Sequence, residues 1–286
     1  MSTLRIVIHN VGHGQAVHAF TPDGKVVVID LGTSADFSPL EWLAQSTKTI
    51  DSLVITHPHG DHIDEMLLVG KLGFKVRQLW RPKWLPKEDV YAANQATYQD
   101  KLDTYFAMSD SYTHPIKDGE LVGDPKVTGG VTIKKFASRG CGTSNINNHS
   151  GVVVFEYLGA RIVIPGDNEP PSWKELLENP DFLAMVKDAH VFMASHHGRQ
   201  SGYCSELFAA LSDTAPRLCV ISDGRVQDTD ATQRYSYHAG GWKVNSRSSP
   251  GNGNDRYCVT TRSDGYVEIE VGANQSGGAY LSVTTD

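Results

Sequence analysis

The sequence predicts a mixed α/β fold on three observations. Short apolar, β-branched runs recur along the chain at Leu4 to His9, Ala16 to Phe20, Lys25 to Gly32, Leu53 to Ile55, Gly151 to Tyr157, Arg161 to Pro165 and Ala189 to Ala194. Most are bounded by the Gly, Pro, Asn or Asp residues that end strands. Between them lie stretches of helical spacing, Ile63 to Leu72 and about Val90 to Met108. The composition, 40% hydrophobic and 21% charged over 286 residues, is ordinary for a globular chain with a sizeable core. No repeat, low-complexity tract or linker divides residues 1–286, so one domain is expected. It carries a helical insertion at about 81–118 and a long loop at about 223–256.

The first two strands flank Asn10-Val11-Gly12-His13-Gly14-Gln15, whose glycines mark a tight, hairpin-like turn. Lys25 to Gly32 reads as a buried strand ending in the carboxylate of Asp30. After Leu53-Val54-Ile55 comes the densest concentration of chemistry, Thr56-His57-Pro58-His59-Gly60-Asp61-His62. In an extended segment alternate residues share a side, so His57, His59 and Asp61 are expected to converge while His62 points elsewhere. One turn then serves two metal positions. Pro58 keeps His57 out of helical geometry, and Gly60 allows a bend with which Asp61 caps a helix beginning near His62. Imidazole and carboxylate donors suit zinc, manganese or iron, whereas a calcium site would be built from oxygens.

Residues 81–118 hold Trp84, Tyr91, Tyr98, Tyr105, Phe106 and Tyr112, read as an inserted helix that packs aromatics on the fold and is placed to wall a substrate cleft. Asn145 to Ser150 leads into two paired strands that end at Gly166-Asp167, a place from which a carboxylate reaches into a cleft. The strand from Ala189 delivers Ser195-His196-His197-Gly198-Arg199. From Asp223 to Arg256, Arg225, Arg234, His238, Lys243, Arg247 and Arg256 interleave with Tyr235, Tyr237 and Trp242. This stretch reads as a mobile loop whose cations and aromatics suit a phosphate backbone and unstacked bases.

The His-x-His-x-Asp-His turn after a buried strand resembles the hallmark of the metallo-β-lactamase superfamily at every fixed position. The resemblance implies a four-layer αββα sandwich with a one- or two-metal hydrolytic site along one edge of the sheets. It implies that Asp30 orients the site from behind the turn, since metal-bound imidazoles donate their free N–H to a carboxylate or carbonyl. It also implies that His149 and His196 join His57, His59, Asp61 and His62 as ligands of two divalent ions, Zn2+ or Mn2+, with Asp167 bridging them. His197 is expected behind His196 or against substrate, and His238 toward the site.

Val11-Gly12-x-Gly14, Asn148-x-Ser150, His196-His197-Gly198 and Thr261-Arg262-Ser263-Asp264-Gly265 narrow the likeness to the metallo-β-lactamase domain of the competence protein ComEC, without its transmembrane channel. That family has Asp, Gln and Asp where this chain has Asn10, His13 and Gln15. The likeness implies a phosphodiester substrate, with DNA the favoured polymer. Asn148, Arg199, Arg234 and Arg247 would contact it, Asp61 or Asp167 would orient a water of pKa roughly 7, and His197 or His238 would protonate the leaving group.

A formal net charge of −7 argues against a surface that attracts nucleic acid as a whole, although two divalent ions would leave the pocket cationic. Cys141, Cys204, Cys219 and Cys258 form no Cys-x-x-Cys pair, so neither a zinc ribbon nor a dithiol redox site is indicated, and buried thiols are expected. A start lacking signal-peptide character and the lack of a membrane-length apolar run predict a cytoplasmic protein without a membrane partner. Three classes of function follow: a metal-dependent nuclease or other phosphodiesterase; a hydrolase of phosphocholine-like, cyclic nucleotide or acyl substrates; and a non-catalytic metal-binding protein. An undegraded central turn disfavours the third.

Overall fold

Strand alternation decides the layers. Along Val152–Tyr157, Val153 and Phe155 enter one apolar core while Val152 and Val154 enter another, the period of two that a sheet covered on both faces requires. The computed structural model describes residues 3–224, 230–249 and 253–286, so Arg225 lies outside the described residues. One sheet runs, in spatial order, Asn254–Arg256, Trp242–Ser246, Ala279–Thr285, Val267–Ala273, Leu4–Ile8, Val17–Phe20, Val26–Ile29, Ser52–Val54 and Leu79–Trp80. The other runs Cys258–Thr260, Leu218–Ile221, Val191–Met193, Ala160–Ile164, Val152–Tyr157 and Thr132–Phe136.

Ile6, Ile8, Val27 and Ile29 of the first sheet meet Val153, Phe155, Ile162 and Ile164 of the second in the central core. On the outer face of the first sheet, Val28, Leu53 and Ile55 pack on Leu40, Leu43, Met66, Val69, Leu102 and Tyr105 from helices. On the outer face of the second, Val154, Val163 and Phe192 pack on Trp173, Phe182, Leu207 and Tyr235, again from helices. The result is helix, sheet, sheet, helix, the four-layer αββα order.

Parallel strands position the site. Val26–Ile29 and Ser52–Val54 run parallel and end at Asp30 and at the histidine turn. Ala160–Ile164 and Val191–Met193 run parallel and end at Gly166-Asp167 and at Ser195-His196-His197. The amide of Gly151 donates to Thr56 O at 2.9 Å and that of His196 to Gly166 O at 3.1 Å, which fixes these strand ends against one another.

Two stretches differ from the sequence reading. The insertion is not one helix from Val90 to Met108 but Lys87–Ala92, a short 3-10 turn Ala96–Tyr98, and Gln99–Ser111. The break falls where the Asn94 side chain donates to both Val90 O and Pro58 O, tying that turn to the metal loop. The stretch 223–256, expected as a loop, contains a helix, Ala231–Ser236, and two antiparallel strands, Trp242–Ser246 and Asn254–Arg256. Cys204, Cys219 and Cys258 are buried thiols, Cys141 is half-buried, and none is in a disulfide. Among the described residues no helix is long and apolar enough to cross a membrane.

A buried histidine pair gives the fold an acid-labile point. His9 Nε2 lies 3.1 Å from His18 Nδ1, and burial, with Arg5 nearby, pushes the His9 pKa down to about 3. Burial and His9 hold His18 well below its usual value. Below pH 6.5 the unfolded chain takes up protons that the native rings refuse, so stability falls as pH drops toward 3. The slope is about 1.4 kcal/mol per pH unit for each proton. Denaturant midpoints at pH 7 and pH 5 are expected to differ less in a His9→Gln, His18→Gln double variant than in the parent chain. Equal differences in the two proteins would assign the acid sensitivity elsewhere.

Candidate metal centre

The site is built outward from Asp30. Its side chain is fully buried and its φ is 59°, a left-handed value tolerated by Asp better than by most residues. Oδ1 accepts from Thr56 N at 2.7 Å; Oδ2 accepts from Thr56 Oγ1 at 2.6 Å, Gln15 Nε2 at 2.8 Å and His62 Nδ1 at 2.7 Å. The last bond fixes a His62 hydrogen on Nδ1 and turns Nε2 toward the cleft. His197 is set in the same way, with Nδ1 3.1 Å from Ser222 O. His57 Nδ1 lies 3.3 Å from Thr56 Oγ1, which turns its Nε2 the same way.

Asp167 is the hub on which these Nε2 atoms converge. Its Oδ1 is 3.2 Å from His62 Nε2; its Oδ2 is 3.4 Å from His197 Nε2, 3.7 Å from His196 Nε2 and 3.9 Å from His57 Nε2. Asp61 Oδ2 stands 3.3 Å from His197 Nε2 and 4.0 Å from His62 Nε2. Asp61, His62, Asp167 and His197 thus offer four donor atoms that lie within 4.8 Å of one another, a set able to hold a metal ion. Also beside Asp167, His57 Nε2 and His59 Nδ1 approach to 2.9 Å.

The buried atoms His62 Nε2, His197 Nε2 and Asp167 Oδ1 have no hydrogen-bond partner. Buried donors and acceptors without partners are costly, and borderline-soft imidazole nitrogens around a carboxylate are what a divalent transition ion requires. The residues therefore fit the group that the sequence implied. Burial opposes charge on His62 and His197, but Asp167 and the other nearby carboxylates outweigh it, raising His62 well above its usual pKa and His197 to about 9. Burial likewise opposes the Asp61 and Asp167 anions, yet the neighbouring imidazoliums hold both carboxyls well below their ordinary range.

Several expected placements change. Asp61 groups with His62, not with His57 and His59, because Gly60–His62 is a 3-10 turn and strand alternation stops at Gly60. Asp61 caps no helix; its carboxylate is turned to the histidines. His197 takes the place expected for His196, since His196 and His197 both have left-handed φ, 50° and 53°, and the chain turns back on itself there. His196 sits beside Asp167 with Nδ1 3.0 Å from Ser201 Oγ and 3.4 Å from Glu169 Oε1.

His149 is buried, with Nδ1 3.0 Å from Trp84 Nε1 and 3.2 Å from Ser138 O, and it pairs with neither Asp61 nor Asp167. A hydrogen on Nδ1 bonds Ser138 and frees Nε2 to ligate; a bare Nδ1 accepts from the indole and puts the hydrogen on Nε2. Asn148 is buried with Oδ1 unpartnered.

His238 is not brought to the cluster. Its Nε2 lies 2.7 Å from Tyr203 Oη and its ring stacks on Phe208 at 4.2 Å, lining a separate groove of about 430 Å³. Arg234 lies over the Tyr203 ring in that same region. Arg247 pairs with Glu268 and Asp286 and stacks on Tyr266, all on the first sheet or at its rim, while Arg256 pairs with Asp264. Arg199 does reach the site, through His13.

His13 and Glu169 are side chains to which the sequence reading gave no role, and Tyr98 is one of the insertion's aromatics expected to wall a cleft. His13 Nε2 stands 3.3 Å from Asp61 Oδ2, and its pKa is lowered to about 4 by burial and by His197, against the pull of Asp61. A histidine held between two glycines before a buried strand was the available signal. Glu169 accepts from Asn145, Asn147 and faces His196, tying two loops beside the cluster. Tyr98, from the insertion, lies over Gly60, where an added Cβ would collide with its ring.

The chain is similar to several known proteins. A stretch of 103 residues, 36% of this chain, is 30% identical to a hydroxyacylglutathione hydrolase of Saccharophagus degradans and spans 29% of that protein. Among solved structures, the metal-dependent hydrolase of the beta-lactamase superfamily called Tm1679 is 14% identical, with a TM-score of 0.48 over 82% of this chain and 93% of that one. The short form of human tRNase Z is 13% identical, with a TM-score of 0.40 over 76% of this chain and 92% of that one. The family model of the metallo-beta-lactamase superfamily matches residues 12–219. With more than half of its length matched, and with an Asp and His cluster able to hold a metal at the ends of its parallel strands, the chain belongs to the metallo-beta-lactamase superfamily.

Proposed function

We propose that this protein is a metal-dependent hydrolase, a phosphodiesterase working with two divalent ions, Zn2+ or Mn2+. Asp61, His62 and His197 would hold one and His57 and His59 the other, with Asp167 shared between them. The observation that carries the reading is Asp167 itself, a buried carboxylate with imidazole nitrogens against both of its oxygens. When bound, such ions supply a Lewis acid and a water acidified to a pKa of about 7. The chain does the rest: Asp30 and Ser222 fix the tautomers of His62 and His197, Asp61 orients the attacking water, and the strand ends exclude bulk solvent from His57 and His62.

The ComEC likeness supports phosphorus as the reacting centre and keeps DNA as a substrate to test. Ion pairs that occupy Arg247 and Arg256 remove two of the cations expected to track a polymer. This favours a small phosphodiester or a short single strand over duplex DNA. The match to a protein named hydroxyacylglutathione hydrolase supports a second reading, acyl or thioester hydrolysis at the same centre.

Chelator-treated protein is expected to lose hydrolysis of bis-p-nitrophenyl phosphate and to regain it with zinc or manganese, taking up as many as two ions by elemental analysis. Parallel assays on single-stranded DNA, duplex DNA and a glutathione thioester separate the readings. Metal-loaded protein that cleaves the thioester and no phosphodiester gives the second reading the site. Failure to take up metal sinks both.

A further inference from the structure

The loop that carries His13 is fastened to the metal turn at several points. Gln15 N donates to Asp61 O at 3.4 Å, Gly32 N to Gln15 O at 2.8 Å, and Ser222 Oγ to Gly14 O at 3.0 Å. Gly14 has a φ of +140° and so little room that a Cβ there would lie 2.7 Å from Asp61 O. This construction holds the His13 ring 4.6 Å from that of His197, on the solvent side of the cluster, with 45% of the His13 side chain exposed. Arg199 arrives from the opposite direction, two residues beyond His197, and sets Nη2 3.1 Å from His13 Nε2.

A guanidinium only donates, so His13 Nε2 accepts here and gives no hydrogen to Asp61 Oδ2, 3.3 Å away, and the contact orients Arg199 without neutralising it. Asp61 and Asp167 lie just beneath, yet among the described residues Arg199 pairs with no carboxylate. It is half-buried, and its other N–H groups are left for something that comes from outside. An arginine fork beside a metal cluster matches an oxyanion, which it can grip through two parallel bonds.

We infer that Arg199 and His13 form an anion subsite at the mouth of the metal centre, in which Arg199 grips a charged oxygen of the substrate and His13 positions the guanidinium. The inference deepens the phosphodiesterase reading on which it rests, because it demands a substrate that keeps a negative charge next to the bond being broken. A phosphodiester carries that charge on its non-bridging oxygens. His13 is a positioning residue here, and Arg199 the binding one.

The test uses inorganic phosphate as the probe and zinc-loaded full-length protein, with affinity read by calorimetry at low salt. Arg199→Gln is expected to raise the phosphate Kd about 10-fold, the loss of one charge-assisted contact, with zinc content unchanged. Arg199→Lys should recover part of the loss. His13→Gln, which keeps an acceptor, is expected to stay near the parent affinity, while His13→Leu weakens phosphate several-fold and raises KM for bis-p-nitrophenyl phosphate more than it lowers kcat. Unchanged phosphate affinity in Arg199→Gln overturns the inference, as does loss of zinc from His13→Leu, which would make His13 a ligand instead. Parent protein that binds phosphate through Arg199 but cleaves no phosphodiester would leave the subsite standing and remove the phosphodiesterase reading.

Discussion

Asp167→Asn is expected to strip at least one ion from each chain and to lower hydrolysis by roughly 100-fold or more, since even changes to residues that only support a ligand cost 10- to 100-fold. Asparagine keeps the shape of the side chain and loses its charge. The substitution removes the one group that lies within 4 Å of His57, His62, His196 and His197 together. Elemental analysis and kcat/KM on the same preparation check it, and a urea midpoint shows whether the fold has survived. A variant that keeps its metal and most of its rate would show that Asp167 does not link the two halves of the centre.

Asp30→Ala is expected to cost about 3–5 kcal/mol of stability, because it leaves several buried donors without an acceptor. Thr56 N, Thr56 Oγ1, Gln15 Nε2 and His62 Nδ1 all lose their partner at once. Alanine would also have to hold a φ of 59°, a further cost of roughly 1 kcal/mol. Asp30→Asn restores an acceptor for Thr56 but sets an amide N–H against His62 Nδ1, so it should recover stability better than metal affinity. Urea midpoints for both variants, with and without zinc, separate the two effects. An Asp30→Ala chain as stable as the parent would mean that water replaces all of these bonds in a site that is now dry.

The sequence made the histidine turn and the strand-end carboxylates legible, because residue type and local spacing carry them. His57, His59, Asp61 and His62 lie within one turn, and Asp30 and Asp167 each follow a run of β-branched residues. What it did not make legible were pairings set by backbone conformation. The 3-10 winding of Gly60–His62 moved Asp61 to the side of His62, and two successive left-handed residues exchanged His196 and His197. Nor does sequence spacing reveal which cations find acids across a sheet, as Arg247 finds Glu268 and Asp286. The six-residue helix Ala231–Ser236 is too short to show a period and is held by Tyr235 in the outer core.

Tyr98 lies on Gly60, with the Lys101 ammonium 4.7 Å from its ring and 2.5 Å from Asp64 Oδ1. The inserted helix and the histidine turn are therefore clamped together. For His59 and Asp61 to swing away from an ion, the first turn of Gln99–Ser111 has to lift as well, carrying Leu102 and Tyr105 out of their apolar seat. If the turn holds an ion as proposed, its off-rate would be tied to the free energy of this local opening event. Amide hydrogen exchange in residues 99–105 and the rate of zinc loss to a chelator would then rise and fall together.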